Sequence, residues 1–272
     1  MTFATYETSI AAGKPVLLYE FQRQATYWRY TSAEIDIAVG TTIYAHIDGL
    51  QDDGISQSGD ASRDQLSITA PLSLPAVQSY LTSRPSTRTR VVIRSLHRGD
   101  TDAPVQWVGY INSVRRGALG QCTIACESIA STFARPGVRL AFSRSCPYTV
   151  YDRQCGVSPE KFMVPGTVQS LDGQSITALA LGAQGDGYFT GGFLAFTSTD
   201  GFAETRGIDL QTGTTAVIYG GTAGMAADMA VKLYPGDDYT IATCRDRFGN
   251  QLNNGAFPGM PGKSPFDGSE AF

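Results

Sequence analysis

Residues 105 to 114 have the sequence Val-Gln-Trp-Val-Gly-Tyr-Ile-Asn-Ser-Val, a run rich in β-branched and aromatic side chains. Such a run is typical of a β-strand. Val91–Leu96 before it and Cys122–Cys126 after it have the same character. Farther upstream, Leu66, Ile68 and Ala70 alternate with polar residues, the period expected of a half-buried strand. These segments predict a chain built largely from strands.

The same pattern extends toward both ends of the chain. Val16–Phe21, Ile35–Val39 and Ile43–Ala45 are short, β-rich and separated by polar or glycine-containing breaks. Asp172-Gly173 and Asp200-Gly201 each lie between apolar runs, where such a dipeptide predicts a tight hairpin turn.

The length of 272 residues predicts about two domains. We expect a mainly β fold of small barrel- or sandwich-like domains with few short helices, of which Pro75–Leu81 and Ser128–Phe133 are the candidates. The predicted domains are residues 1–145 and residues 146–272. The second contains a cysteine site and ends in an extended tail rich in glycine and proline.

Charged residues make up only 17% of the chain, against about 25% in an average soluble protein. So little charge suggests surface buried against partners. Residues 84–144 hold ten arginines, no lysine and three acidic residues, whereas residues 1–83 have a net charge of −5 and residues 145–272 of −6. Planar, bidentate arginine favours pairing with acidic surfaces of the same or a neighbouring subunit. Contact with nucleic acid is the alternative.

No catalytic constellation is recognisable in the sequence. His46 and His97 both precede every cysteine, which excludes the residue order of papain-like peptidases, and no G-x-S-x-G elbow occurs. We therefore expect no enzyme. No apolar run approaches the ~18 residues of a membrane span, and Met1–Gly13 lacks the features of a signal peptide. These features predict folding in the cytoplasm without stable membrane insertion.

The five cysteines are odd in number, so they do not predict a disulfide framework. Cys122 and Cys126 fall on one face of a predicted strand and are expected to be small core residues. Cys146 and Cys155 differ because they lie in turn-like sequence, where side chains can converge on a metal. Their spacing lacks the Cys-x-x-Cys knuckle of common zinc sites.

The sequence around these two cysteines resembles a motif of phage minor tail proteins that form the baseplate hub or tail tip. The motif is Cys146-Pro-Tyr148 followed by Tyr151-Asp-Arg-Gln-Cys155-Gly-Val157. A later run, Leu233–Asn250, is similar to the same family. The family includes the hub protein of gene transfer agents, and its C-terminal part is similar to tail tip protein L of phage lambda. Further matching segments are Pro15–Phe21, Trp28–Ser32, Gly255–Pro258 and Pro261–Phe266.

The resemblance implies a structural subunit of the virion that closes the distal end of a long siphovirus tail as a homotrimeric ring. Such a subunit connects the tail tube to a central spike or fibres. Its implied partners are the distal tail protein, the tape measure protein and the tail spike or fibre proteins. DNA would cross the lumen without specific binding, and the acidic flanks of the chain are candidates for the lumen lining. Assembly would take place in the host cytoplasm.

The resemblance also implies an iron–sulfur cluster, which relatives bind through four cysteines. Three of these match Cys146, Cys155 and Cys244, and the fourth matches Asp237. Aspartate is a harder donor than thiolate, so the expected cluster is altered, incomplete, replaced by zinc or absent. Residues 146–155 and 237–244 are both predicted to be turns, and we expect these four side chains to converge.

Two other classes of function stay open. A receptor- or carbohydrate-binding tail module would suit the 13 tyrosines and 13 phenylalanines. A nucleic-acid-binding protein would use the arginines of residues 84–144. A cell-wall hydrolase fits least, because its catalytic residues are missing.

Overall fold

The computed structural model describes residues 3–9, 15–56, 64–82, 85–97, 99–100, 102–134 and 142–260. Strands hold 40% of the residues and helices 16%, which confirms the predicted mainly β class, and one of the two sheets curls into a half-barrel. The chain divides into two compact units, Met1–Pro136 and Gly137–Phe272. In the described residues, no helix is long and apolar enough to cross a membrane.

The first unit contains a nine-stranded sheet with the order β3-β4-β2-β1-β7-β8-β9-β6-β5. Neighbouring strands are antiparallel except β2 and β4, which are parallel. The strands are β1 (Pro15–Arg23), β2 (Thr26–Thr31), β3 (Ile37–Val39), β4 (Thr42–His46), β5 (Gln51–Asp52), β6 (Gln65–Pro71), β7 (Arg90–His97), β8 (Val105–Arg116) and β9 (Gln121–Ser128). The helices are α1 (Phe3–Glu7), α2 (Pro75–Thr82) and a 3₁₀ helix, Ile129–Ala134.

The core of this unit lies between the inward faces of the strands and α2. Alternation decides which side chains enter it, as on β6, where Leu66, Ile68 and Ala70 are buried. Gly109 on β8 allows a close approach, since a Cβ there would lie 2.1 Å from the Glu127 carbonyl and 2.3 Å from the Trp107 ring. The strands predicted from sequence in this unit are confirmed, and α2 begins at the predicted proline. The segment predicted as a helix near Ser128 is the 3₁₀ helix.

The second unit contains a seven-stranded antiparallel sheet with the order β10-β16-β13-β14-β15-β12-β11. Its strands are β10 (Val164–Thr167), β11 (Ser170–Asp172), β12 (Ser175–Thr177), β13 (Phe193–Thr197), β14 (Ala203–Thr212), β15 (Thr215–Ile218) and β16 (Ala230–Tyr234). Its helices are α3 (Pro159–Phe162), α4 (Leu179–Gly182), α5 (Ile241–Phe248) and a 3₁₀ helix, Gln251–Asn253.

Both predicted hairpin turns are present in this unit. Gly173 connects β11 to β12 with a φ of 56°, and Gly201 connects β13 to β14 with a φ of 82°. Positive φ values cost glycine little, which explains its place in both turns.

Strand β14 carries a buried ion pair. Arg206 Nη1 donates to Glu204 Oε2 at 3.0 Å, and the two side chains are only 6% and 4% exposed. The guanidinium also lies 5.7 Å from the centre of the Phe196 ring. Both charges are therefore satisfied within one face of the sheet.

Candidate functional site

Cys146 and Cys155 lie on a loop of the second unit that precedes α3. The Cys146 amide donates to the Tyr239 carbonyl at 2.9 Å. The Cys155 amide donates to Asp152 Oδ1 at 2.6 Å, and its side chain is buried. These bonds hold the backbone of the loop in place at each of its two cysteines.

Cys244 lies in the middle of α5, not in the turn that the sequence suggested, so that prediction was wrong. Thr240 caps the helix by accepting the Thr243 amide at 3.2 Å, and Gly249 ends it with a φ of 63°. Thr240 and the Phe248-Gly249 pair are ordinary start and stop signals. The helix buries Cys244 together with Phe248, one turn later.

Asp237 lies between β16 and α5. Its Oδ1 accepts the Tyr239 amide at 3.1 Å, as in an Asx-turn. Partial burial raises the pKa of this carboxyl, and the adjacent Asp238 adds to the effect, while the Tyr239 amide and Arg247 oppose it.

The four predicted residues interact electrostatically. Burial raises the pKa of the Cys244 thiol, and the charges of Asp237, Cys155 and Cys146 raise it further. Among the described residues, however, no three side chains of His, Cys, Asp or Glu are already arranged to hold a metal ion.

A short segment after α5 directs N–H donors at two of the three thiols. Asn250 Nδ2 lies 3.6 Å from Cys155 Sγ and donates to the Cys155 carbonyl at 2.7 Å. The Gly255 amide donates to Cys146 Sγ at 3.4 Å. Asn254 lowers the pKa of the Cys244 thiol. Sequence reasoning assigned no role to Asn250, Asn254 or Gly255, although two of the matching segments contain Asn250 and Gly255.

Asn254 Nδ2 provides a test of whether a metal–thiolate group fits here. This nitrogen is buried and has no hydrogen-bond partner. A buried donor without an acceptor is costly, and a thiolate or a cluster sulfide would supply the acceptor. Three thiols and one carboxyl are donor types that a thiophilic metal accepts, but the described side chains are not grouped to hold one.

The backbone on both sides of the site has an uncommon conformation. Tyr151, between Cys146 and Cys155, has a φ of 70°, and Tyr239, between Asp237 and Cys244, has a φ of 62°. Non-glycine residues in this region cost about 1–3 kcal/mol each and cluster at functional sites.

Aromatic rings anchor the cysteine loop to the sheet of the same unit. The Tyr151 ring makes edge contacts with Phe193, Tyr234 and Phe248 at centroid distances of 5.9, 6.1 and 5.9 Å. The loop also buries Val150 and Val157 against Phe248. The site is therefore part of the packed body of the unit.

Cys122 and Cys126 lie in the core of the first unit, as predicted. Burial raises the pKa of Cys126 to about 12, with a further contribution from Asp53. This thiol is therefore neutral at pH 7, and its Sγ packs against the Ile124 carbonyl.

The arginine-rich segment is only partly paired within the chain. Arg88 contacts Glu127 at 3.5 Å, and Arg94 donates to the Ala103 carbonyl. Exposed Arg90, Arg115 and Arg116 have no ion pair among the described residues. Four other arginines lie outside those residues: Arg84, Arg98, Arg135 and Arg139.

Comparison with known proteins agrees with the family that the motif around the cysteines resembles. Residues 16–158 match the family model "Baseplate hub protein, N-terminal attachment domain". Residues 187–264 match "Phage conserved hypothetical protein BR0599". An uncharacterized protein of Xylella fastidiosa (strain 9a5c) is 31% identical over 189 residues, covering 63% of this chain. The chain spans 38% of that relative's length.

The fold has a counterpart among solved structures. A chain from the virion of a native gene transfer agent (GTA) particle superposes with a TM-score of 0.77 at 18% identity. The match covers 100% of this chain and 99% of that one. Together with the family match over more than half of the sequence, it confirms the predicted resemblance. The chain belongs to the phage baseplate hub protein family, whose members are structural proteins of the virion tail.

Proposed function

We propose that this hub protein acts as a non-enzymatic subunit of a closed homotrimer at the distal end of a siphovirus tail. The family match over residues 16–158 carries the proposal, since the matched domain is described as one of attachment. The proposed neighbours are the distal tail protein, the tape measure protein and the spike or fibre proteins, with DNA crossing the lumen.

Charge supports contacts between copies. Arg90, Arg115 and Arg116 are exposed cations of the first unit. The two flanking parts of the chain are acidic. Subunits of a closed ring bind head to tail, so different faces of one subunit can carry opposite charges.

Cross-linking of intact tails tests this assembly. We expect covalent dimers and trimers and no larger homo-oligomer, whereas a protein that stays monomeric in the virion would contradict the ring. The Arg115→Glu/Arg116→Glu variant should weaken association of the purified chain. Lys232→Glu, which reverses an exposed charge in the second unit, is the matched control.

We also propose that Cys146, Cys155 and Cys244 hold an iron–sulfur cluster or a zinc ion, with Asp237 as the fourth ligand. When bound, such a group would act as a structural cross-link between the cysteine loop and α5. Ligation would stabilise the fold because the unfolded chain has no preformed site.

Metal analysis of protein purified without oxygen tests this site. Iron with acid-labile sulfide, or zinc alone, would identify the group, and Cys155→Ser should abolish it. If the group is a cluster, Asp237→Cys should bind iron more tightly and darken the protein. Wild-type protein that retains neither metal, even after reconstitution, would refute the site.

A further inference from the structure

The hairpin tip, residues 118–121, joins β8 to β9 and exposes a leucine. Leu119 and Gly120 have φ values of 56° and 74°, and the Gln121 amide closes the turn by donating to the Ala118 carbonyl at 3.1 Å. Positive φ at both central residues is typical of a type I′ turn, whose first central position favours asparagine, aspartate or glycine. Leu119 is 100% exposed, so neither the turn nor the solvent favours leucine at this position.

The hairpin tip is tethered to its own unit and lies beside two cations. The Leu72 amide, which follows β6, donates to the Gly120 carbonyl at 2.8 Å. Arg115 and Arg116, at the end of β8, are exposed, and residues 103–126 include no aspartate or glutamate. A tethered apolar tip with two cations suits a partner that offers an apolar cavity and negative charge.

A cavity of about 550 Å³ lies at the other end of the same two strands. It is lined by the start of β8 and the end of β9, where Gly109 pairs with Ser128. Val105 and Ile129 line it and are 47% and 39% exposed. Among the described residues that line the cavity, Asp64 alone is charged. The cavity therefore combines apolar walls with a carboxylate, which complements the hairpin tip.

We propose that the hairpin tip of one copy binds this cavity in a second copy of the chain. Leu119 fills the apolar part, and the neighbouring arginines face the negative charge of Asp64. The proposal rests on the proposed homotrimer and identifies a contact that joins its copies. The twelve residues of β8 separate tip from cavity by about 35 Å, so a chain cannot fill its own cavity. The contact is head to tail, and contacts of this kind can close into rings.

A second copy is the partner that accounts for both exposed features at once. A different protein at the hairpin tip would leave Val105 and Ile129 exposed, and a different protein in the cavity would leave Leu119 exposed. A membrane fits less well, because one leucine buries too little apolar surface for stable membrane binding.

Photo-cross-linking in intact tails tests which partner binds the hairpin tip. The photoreactive residue p-benzoylphenylalanine is placed at Leu119. The matched control places it at Leu252, which is 94% exposed in the second unit. We expect position 119 to give a dimer of the chain, linked to residues 105–108 or 128–130, and position 252 not to give this link. A link from position 119 to another protein, or no product in tails that contain the variant, would overturn the proposal.

The reciprocal variant keeps the test decisive if the bulky ring at the tip prevents assembly. The photoreactive residue at Ile129 should link to residues 117–121 of a second copy, and assembled tails without that link would contradict the contact. Tails that give trimers with formaldehyde but neither specific link would refute the contact and leave the ring standing. Tails that give no trimer would refute both.

Leu119→Asn separates binding from folding, because asparagine suits the turn better than leucine. The purified full-length variant should melt no lower than wild type. In competition with wild-type chain, it should enter tails about 10-fold less often, as expected when a central anchor is lost. Leu252→Asn, the matched control, should enter tails as wild type does. A lower melting temperature of Leu119→Asn, or equal entry into tails, would overturn the proposal.

Discussion

The Tyr151 hydroxyl donates to the Pro235 carbonyl at 2.9 Å and so joins two segments that lie 84 residues apart in sequence. Tyr151 belongs to the cysteine loop, and Pro235 follows β16. The bond brings the loop next to the backbone that carries Asp237, independently of any metal.

Tyr151→Phe should therefore destabilise the protein by about 1–2 kcal/mol, because the ring stays but a carbonyl loses its donor. Urea unfolding of the metal-free protein measures the change. Tyr239→Phe is the control, since Tyr239 also has a positive φ but is 40% exposed. Equal effects in the two variants would show that the Tyr151 hydroxyl contributes nothing specific.

Gly236→Ala should destabilise the second unit strongly. A Cβ at this position would lie 1.9 Å from the Thr190 carbonyl and 2.4 Å from the Gly192 amide. Backbone must move to admit it, so we expect a loss of about 3 kcal/mol or more, with displacement of the adjacent Asp237. Gly185→Ala meets open space and should leave the melting temperature nearly unchanged. Wild-type stability in Gly236→Ala would refute the close approach.

Glu204 and Arg206 should be strongly coupled in their contributions to the free energy of unfolding. Arg206→Met leaves a buried carboxylate without its guanidinium and should cost about 3–5 kcal/mol. The double variant Glu204→Leu/Arg206→Met removes both charges and should recover most of that loss. A double-mutant cycle from denaturant unfolding measures the coupling. Additive single effects would contradict it.

Cys126 should make stability fall at alkaline pH. Its pKa is 9.0 in the reference state and about 12 in the fold. The contribution of the buried neutral Cys126 thiol to the free energy of unfolding is therefore complete below pH 9. It is lost as pH rises toward 12. The slope approaches about 1.4 kcal/mol per pH unit. Comparing unfolding of wild type and Cys126→Ala at pH 8 and 11 isolates this contribution, because tyrosines and lysines titrate in both proteins. Parallel pH profiles would show that Cys126 stays neutral in both states.

Much of the fold could be predicted because strand patterns are local. Alternation at Leu66, Ile68 and Ala70 identifies β6, and the Asp-Gly dipeptides identify two hairpin turns. The order of strands in the sheets was not predictable, since pairings such as Gln65↔Glu127 join residues distant in sequence.

The cysteine site likewise has a part that the sequence predicts and a part that it does not. The cysteine motif predicted a shared site for Cys146, Cys155 and Cys244, and in the structure the charges of Cys146 and Cys155 act on the pKa of the Cys244 thiol. Helix α5 was missed because eight residues give too short a pattern for periodicity, although Thr240 and Gly249 mark its ends. The donor at Asn250 was missed because a side-chain amide acquires its role only from the groups opposite it, which here are the carbonyl and the sulfur of Cys155.

The cysteine loop also determines how the chain can be divided. Residues 146–157 fall within the sequence match to the N-terminal attachment domain, which ends at residue 158, yet they pack in the unit that begins at Gly137. Phe248, against which they are buried, falls within the other family match. A fragment ending at residue 158 would carry Val150 and Val157 without their apolar partner. The two matched regions are therefore interdependent in folding, and a chimera joined at residue 158 has to keep both sides of this contact.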